Sequence, residues 1–258
     1  SNGGGMMQLR NAGFDHLVVL GKSPRPVYLK ITDDHVTILD AYHLWGKDTV
    51  ETAQAIWMDF GDHFEVAAIG PAGENLVRHA AIVGNGYIAW GRTGLGAVMG
   101  SKNLKAITVH GSRPVPTAHP TRLLKLAKSA TQDMIGQDEA IQVWRDGGTW
   151  KWAKTSPKPT RNLNSDLWDL DKYDQKFEHH PVACQGCPVG CKHALKIKPG
   201  HKYEGLELTV GCTYATMNGP FGLGLGLSHF EEMMKCGDWV QRLGMDSEVT
   251  AGVISLQN

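Results

Sequence analysis

The chain has 258 residues, enough for one large or two ordinary domains, with 41% apolar residues, 20% charged residues and a formal net charge of zero. That balance excludes a disordered polyelectrolyte and offers no basic surface for nucleic acid or an anionic membrane. The apolar runs are interrupted and far shorter than the ~20 residues of a membrane span, no basic start leads into an apolar leader, and the grouped cysteines point to a reducing compartment, so cytoplasm is the expected location.

The chain opens on Ser1-Asn2-Gly3-Gly4-Gly5 rather than on methionine, which suggests a tag remnant or the interior of a longer protein. Residues 16–21 predict a buried strand. Residues 27–39 predict a hairpin, with Val27–Ile31 and Val36–Leu39 flanking a turn whose aspartates can bond the local backbone. Asp48 or Thr49 caps a helix expected to run to about Phe60, with Val50, Ala53, Ile56, Trp57 and Phe60 on one face. A strand is expected over 65–70, a turn over 70–75, and a short element from Leu76 to Ala81.

Residues 84–103 are glycine-rich. Glycines clustered in this way serve a backbone bent through positive φ or approached closely by another group. The spacing around Gly96 and Gly100 is one residue short of a phosphate-binding loop, and no dinucleotide fingerprint follows a strand. Two readings stay open: a tight structural loop, or a backbone cradle for an anionic cofactor with Arg92 as the clamp. A strand from Leu104 to Gly111 follows.

Three prolines between 112 and 120 mark a linker and the domain boundary. Helical periodicity then appears over 121–134 and 138–145. The Trp- and Lys-bearing stretch 150–170 reads as a packed loop with a solvated face, and His179-His180 as a surface pair. A helix is expected from about His229 to Leu243, stopped at Gly244.

Between these helices lies Cys184-x2-Cys187-x3-Cys191, three of the five cysteines within eight positions. Thiolates are soft ligands that select zinc, copper(I) or iron–sulfur iron. Gly186 and Gly190 clear the loop so that backbone N–H groups can turn towards cluster sulfides. A radical-SAM site has the reverse spacing, and a disulfide framework does not suit so long a chain. Zinc with His193 as fourth ligand is crowded, and metal-free thiols remain an alternative; the iron–sulfur reading leads. A [4Fe–4S] cluster needs a fourth ligand, and neither Cys212 nor Cys236 identifies itself as one.

Taken together the motifs resemble those of the aldehyde ferredoxin oxidoreductase family, the tungsten- or molybdenum-pterin enzymes. The resemblance is carried by Asn2–Gly5, Ala12–Asp15, Gly70–Val77, Gly94–Ile107, Pro159–Asn162, the three loop cysteines, and Leu243-Gly244-Met245-Asp246. It implies an α+β fold, with a β-rich pterin-binding domain over 1–115 and a mainly helical domain over 117–258. It implies pterin contacts from Asn2, Gly4, Ala89, Gly91, Arg92, Gly244, Met245 and Asp246. Backbone groups at Gly91, Gly94 and Gly96 are expected to meet the pterin, and the backbones of Asn2 and Ala89 to hold a bridging Mg2+. Cys184, Cys187 and Cys191 become three of four [4Fe–4S] ligands. The implied reaction is oxidation of an aldehyde or related carbonyl to the acid, with electrons passed to a ferredoxin or ferredoxin-like subunit.

This sequence departs from the family pattern at several positions. Ile88 replaces an expected arginine, Gln241 an acid, and Lys235 and Asp238 an intersubunit metal pair. Thr209 stands near an expected glutamate, leaving Glu207 as the weak catalytic candidate. Alternatives are a reductase of an activated acid or aromatic acyl-coenzyme A thioester, and an electron-transfer or scaffold subunit without active metal. A homo- or hetero-oligomer is compatible with either. Members are more than twice this length, so a fragment, by itself inactive, is expected.

Overall fold

The computed structural model describes residues 5–90, 93–137, 139–147, 174–210, 221–222 and 225–256. The chain divides into two compact units, Ser1–Val115 with Asp238–Thr250, and Pro116–Gly237 with Ala251–Asn258. The β-and-α content matches the α+β expectation.

The first unit is built on a six-stranded mixed sheet, β1 (Val27–Thr32), β2 (His35–Asp40), β3 (Glu65–Ala68), β4 (Val83–Gly84), β5 (Ile88–Ala89) and β6 (Leu104–His110), in the order β2-β1-β6-β3-β4-β5. The expected hairpin is β1–β2, paired from Val27↔Asp40 to Thr32↔His35, and Asp34 supplies the positive φ of its turn. β6 runs parallel to β1 and antiparallel to β3, so the sheet is closed in its middle by the last strand of the domain.

Each sheet face has its own core, as alternation along a strand requires. Helix α2 (Thr49–Phe60) buries Ala53 and Ile56 against Tyr28, Val66, Ala68 and Ala106. Its start is a capping box: the Asp48 carboxylate accepts from the Glu51 N–H (2.8 Å) and the Glu51 carboxylate from the Asp48 N–H (3.0 Å). On the other face Leu9 and Ala12, at the end of α1 (Gly5–Asn11) and just beyond it, pack on Ile31 and Val109, while Met99 of α4 (Leu95–Ser101) packs on Leu29, Ile69 and Leu104.

Residues 16–20 correct one expectation: they form no strand. Leu17 and Val19 are partly buried and pack inwards, whereas Val18 and Leu20 face solvent, so the alternation is strand-like but no neighbouring strand takes up the backbone. A second correction is α4, which is helical where a loop was expected. Its glycines are tolerated because backbone passes against backbone: a methyl on Gly100 would collide with the Gly73 carbonyl of α3 (Pro71–Glu74).

The second unit begins with α5 (Pro120–Gln137) and α6 (Glu139–Gly147). It then adds a three-stranded antiparallel sheet, β7 (Phe177–Val182), β8 (Lys192–Ile197) and β9 (Glu207–Val210), in the order β7-β8-β9. No strand was expected there. Pro181 is accommodated because β7 is an edge strand of that order. Two helices follow, α7 (Phe230–Leu243) and α8 (Ser247–Ser255), of which Asp238–Thr250 belongs to the first unit. Among the described residues no helix is long and apolar enough to cross a membrane.

Candidate pterin cradle and cysteine loop

The motif at 241–246 is a helix stop followed at once by a helix start. Gly244 (φ 72°) donates its N–H to the Gln241 carbonyl (3.1 Å) and Met245 to the Val240 carbonyl (2.9 Å), which is a Schellman termination of α7. Buried Asp246 then caps α8, its carboxylate accepting from the Val249 N–H (3.0 Å) and its carbonyl from the Thr250 hydroxyl (2.6 Å). The pattern Gly-x-Asp is what a chain needs to reverse tightly between two helices.

This turn is seated on residues 78–82, a segment that carried no functional signal in the sequence. Asp246 donates its N–H to the His79 carbonyl (3.0 Å), Met245 forms an isolated bridge with Ala80, and Ala81 donates to the Gly244 carbonyl (2.8 Å). The next residue reaches the other expected contact region: Trp90 donates to the Ile82 carbonyl (2.8 Å). The same segment receives α4, since Gly96 donates to the Ala80 carbonyl (3.0 Å). Three sequence-distant motifs thus meet on five consecutive residues. Within the segment itself, small, buried Ala80 and Ala81 are what the sequence shows of this.

The glycines of that region divide by role. A methyl on Gly94 would collide with the Arg78 carbonyl, and one on Gly96 would stand 2.6 Å from the Ala81 oxygen. Both positions are therefore spent on packing within the protein, the structural reading of the two left open. Gly244 is alike, 2.7 Å from the Gly70 nitrogen once a methyl is added. Gly91, Arg92, Asn2 and Gly4 lie outside the described residues.

Ala89 differs. It sits exposed on β5, the outer strand of the sheet. The Trp90-to-Ile82 bond makes Ile82 and Trp90 a hydrogen-bonded pair, so by antiparallel alternation Ala89, opposite Val83, is a non-bonded position. Its carbonyl points away from β4, off the open edge. A hard cation such as Mg2+ takes oxygen ligands of this kind, so Ala89 fits the role implied for it. Ile88 beside it, at a position where the family pattern has arginine, is buried.

Salt bridges fix the turn laterally. Arg242 donates from Nε to Asp238 (2.8 Å) and from Nη1 to Asp48 (2.9 Å), and the Thr49 hydroxyl donates to the Gln241 carbonyl (2.9 Å). Nearby, Lys105 and Glu74 form a buried pair, Nζ–Oε1 2.5 Å, with the Lys47 carbonyl also accepting from Nζ (2.7 Å) and the Gly46 N–H donating to both Glu74 oxygens. Burial pushes the Lys105 ammonium below its usual value, with Glu74 pulling the other way.

In the second unit the three cysteines occupy the loop 183–191 that joins β7 to β8, whose stem closes at Val182↔Lys192. Cys187 donates its N–H to the Cys184 carbonyl (3.0 Å), and Gly186 and Gly190 take positive φ. Cys184, Cys187 and Cys191 are half-buried thiols outside any disulfide. Among the described residues no three His, Cys, Asp or Glu side chains converge tightly enough to hold a metal. The fit to an iron–sulfur cluster therefore rests on the donor chemistry, three thiols on one loop with glycines where it bends. His193, the alternative zinc ligand, is buried on β8 with its ring 5.7 Å from that of His179. Burial, with Glu232 adding to it, pushes the Cys236 thiol up, which disfavours a thiolate ligand; Cys212 lies outside the described residues. Glu207, the weak catalytic candidate, is exposed and its carboxylate is paired with Lys196 across β8 and β9 (2.8 Å).

The family model for the aldehyde ferredoxin oxidoreductase N-terminal domain matches residues 1–111, and that for domains 2 and 3 matches 125–257. The chain belongs to the aldehyde ferredoxin oxidoreductase family. It is 35% identical to the tungsten-containing aldehyde ferredoxin oxidoreductase of Thermococcus kodakarensis and 33% to that of Pyrococcus furiosus, each over 99% of this chain and 43% of the relative. It is 29% identical to the WOR-like subunit of the aliphatic sulfonate oxidoreductase of Pyrococcus furiosus, over 96% and 43%. Among solved structures it resembles the active-site complex BamBC of benzoyl coenzyme A reductase with 1,5-dienoyl-CoA (TM-score 0.73, 28% identity, 99% of this chain and 42% of that one). The chain thus spans under half the length of these relatives.

Proposed function

We propose that the chain is part of a tungsten- or molybdenum-pterin iron–sulfur oxidoreductase that converts an aldehyde or related carbonyl compound to the acid. The observation that carries this reading is the meeting of the 89–90, 94–96 and 244–246 motifs on residues 78–82. When bound, such a metal–pterin centre would supply two-electron carbonyl chemistry, and a [4Fe–4S] cluster would supply one-electron transfer towards a ferredoxin-type acceptor. Aldehyde and water together become the acid and release two electrons and two protons, one proton from the aldehyde C–H and one from the water.

The chain's own residues bind and orient. Ala89, with Asn2, would offer backbone oxygen to a magnesium ion, and Arg92 would supply positive charge to the pterin phosphates. Gly4, Gly91, Met245 and Asp246 would line the pterin, Met245 and Asp246 from the turn that residues 79–81 hold, and Gly244 provides that turn. Cys184, Cys187 and Cys191 are the thiolates for the cluster, the fourth ligand being outside the set named here. No side chain is assigned to proton transfer, since Glu207 is occupied by Lys196 at the surface. A cytoplasmic location and an external ferredoxin or ferredoxin-like subunit complete the reading.

A reductase acting on an aromatic acyl-coenzyme A thioester is the second reading, favoured by the 0.73 TM-score to the benzoyl coenzyme A reductase complex. Anaerobic purification of the full-length protein, with elemental analysis, pterin assay and low-temperature EPR, tests the class. Tungsten or molybdenum near one per chain with about four irons is expected; iron without heavy metal or pterin leaves an electron-transfer subunit, and zinc without iron overturns the proposal. Aldehyde oxidation against thioester reduction, assayed on the same preparation, separates the two enzymes.

A further inference from the structure

We propose that Arg242 is a positioning residue for the pterin site, acting through the turn 243–246 rather than by touching the cofactor; this rests on the pterin reading above. Arg242 is the last residue but one of α7, directly before the turn. Its guanidinium is shared between two carboxylates that approach from different elements. Nε donates to Asp238 one helical turn earlier, and Asp238 is 3% exposed. Nη1 donates to Asp48, whose other oxygen accepts from the Glu51 N–H at the start of α2. One group therefore joins the end of α7 to the beginning of α2.

The surrounding backbone leaves the turn little other freedom. The Thr49 hydroxyl holds the Gln241 carbonyl, the Gln241 amide lies 3.5 Å from the Gly86 carbonyl, and a methyl on Gly70 would collide with the Leu243 carbonyl. Gly86 lies three residues before Ala89. The two sides of the cradle are thus referenced to the same helix start, and Arg242 is the only charged side chain of the 241–246 turn besides Asp246, which is committed to capping α8. A planar fork can serve Asp238 and Asp48 at once; a lysine ammonium, a point charge on a flexible stem, serves them less rigidly. Loss of the fork frees the turn to shift while its hydrogen bonds to residues 79–81 persist.

The test uses the full-length holoprotein with Arg242→Met and Arg242→Lys. Expected for Arg242→Met is a wild-type iron content and cluster EPR spectrum, but a fall of about tenfold in heavy metal and pterin retained under competing chelator, the scale of loss typical when a residue that orients a metal site is removed. The residual tungsten or molybdenum EPR signal should broaden or shift, and Arg242→Lys should recover part of both. A merely structural role would lower the melting temperature and leave metal retention per folded molecule and the heavy-metal spectrum unchanged; that outcome overturns the proposal. Should Arg242→Met fail to fold, Arg242→Lys and Asp238→Asn carry the same comparison. Wild-type protein without pterin would instead sink the underlying functional reading, so the two failures are distinguishable.

Discussion

Replacing Glu74 by leucine tests the interior electrostatics most directly. The Lys105 side chain is 0% exposed and that of Glu74 is 6% exposed, so removing the carboxylate strands an ammonium with only the Lys47 carbonyl as partner. Breaking a buried pair from one side costs about 3–5 kcal/mol, a large share of the ~5–15 kcal/mol that holds a domain folded. Lys105→Met should cost a similar amount, because it leaves the carboxylate with the Gly46 N–H alone. The double variant removes both charges and leaves the Gly46 N–H and Lys47 carbonyl unpaired, at ~1–3 kcal/mol each. Its loss should therefore fall short of the summed single losses by several kcal/mol. Urea unfolding followed by tryptophan fluorescence measures all four corners of the cycle. The folded-state value of Lys105 lies below its usual one, so the folded chain holds fewer protons in that window and stability gained from this group rises with pH towards the ordinary lysine range; below the window the full burial cost applies. Lys105→Met should lose that rise. Single variants within about 1 kcal/mol of wild type, with no coupling, would refute the buried pair.

Further outcomes follow from the same contacts. Gly100→Ala drives a methyl into the Gly73 carbonyl and should cost at least ~3 kcal/mol or block folding, whereas Gly252→Ala, in α8 with nothing within 4 Å, should be neutral or stabilising by up to about 1 kcal/mol; melting curves compare them. Asp246→Ala should cost about 1 kcal/mol through loss of the α8 cap, with Asp246→Ser largely restoring it in thermal denaturation. Cys184→Ser, Cys187→Ser and Cys191→Ser should each lower iron per chain in anaerobic preparations, while Cys236→Ser should not. With iron chelated, Cys236 should be slower than Cys184 or Cys187 to alkylate at neutral pH, read by peptide mass spectrometry, because burial and Glu232 hold its thiol protonated.

Elements whose stability is local were legible. The β1–β2 hairpin announces itself through Asp33-Asp34 between alternating apolar runs, and α2 through Asp48 and Glu51 at capping-box spacing. Elements decided by distant partners were not. Residues 16–20 have a strand's alternation without a strand's neighbour, and α4 is helical despite glycine because its backbone is packed against Gly73 and residues 80–81. The β7–β9 sheet was hidden by His179-His180-Pro181, a poor strand sequence that an edge position tolerates.

The candidate site divides on the same line. Cysteine spacing is a local signal and was read directly. The motifs around Gly94–Gly96 and Gly244–Asp246 were recognisable as belonging together only by resemblance, because what joins them is the main chain of Arg78–Ile82, and a backbone carbonyl leaves no letter in the sequence. Glycine marks the partners of such a segment, since only a missing Cβ lets Gly94 and Gly96 approach Arg78 and Ala81. At Gly94, Gly96 and Gly244 the glycine is therefore the imprint of backbone packed against backbone. Ala89 makes the complementary point: its carbonyl is directed away from β4 because of its place in the register of the outer strand, a property that no single residue encodes.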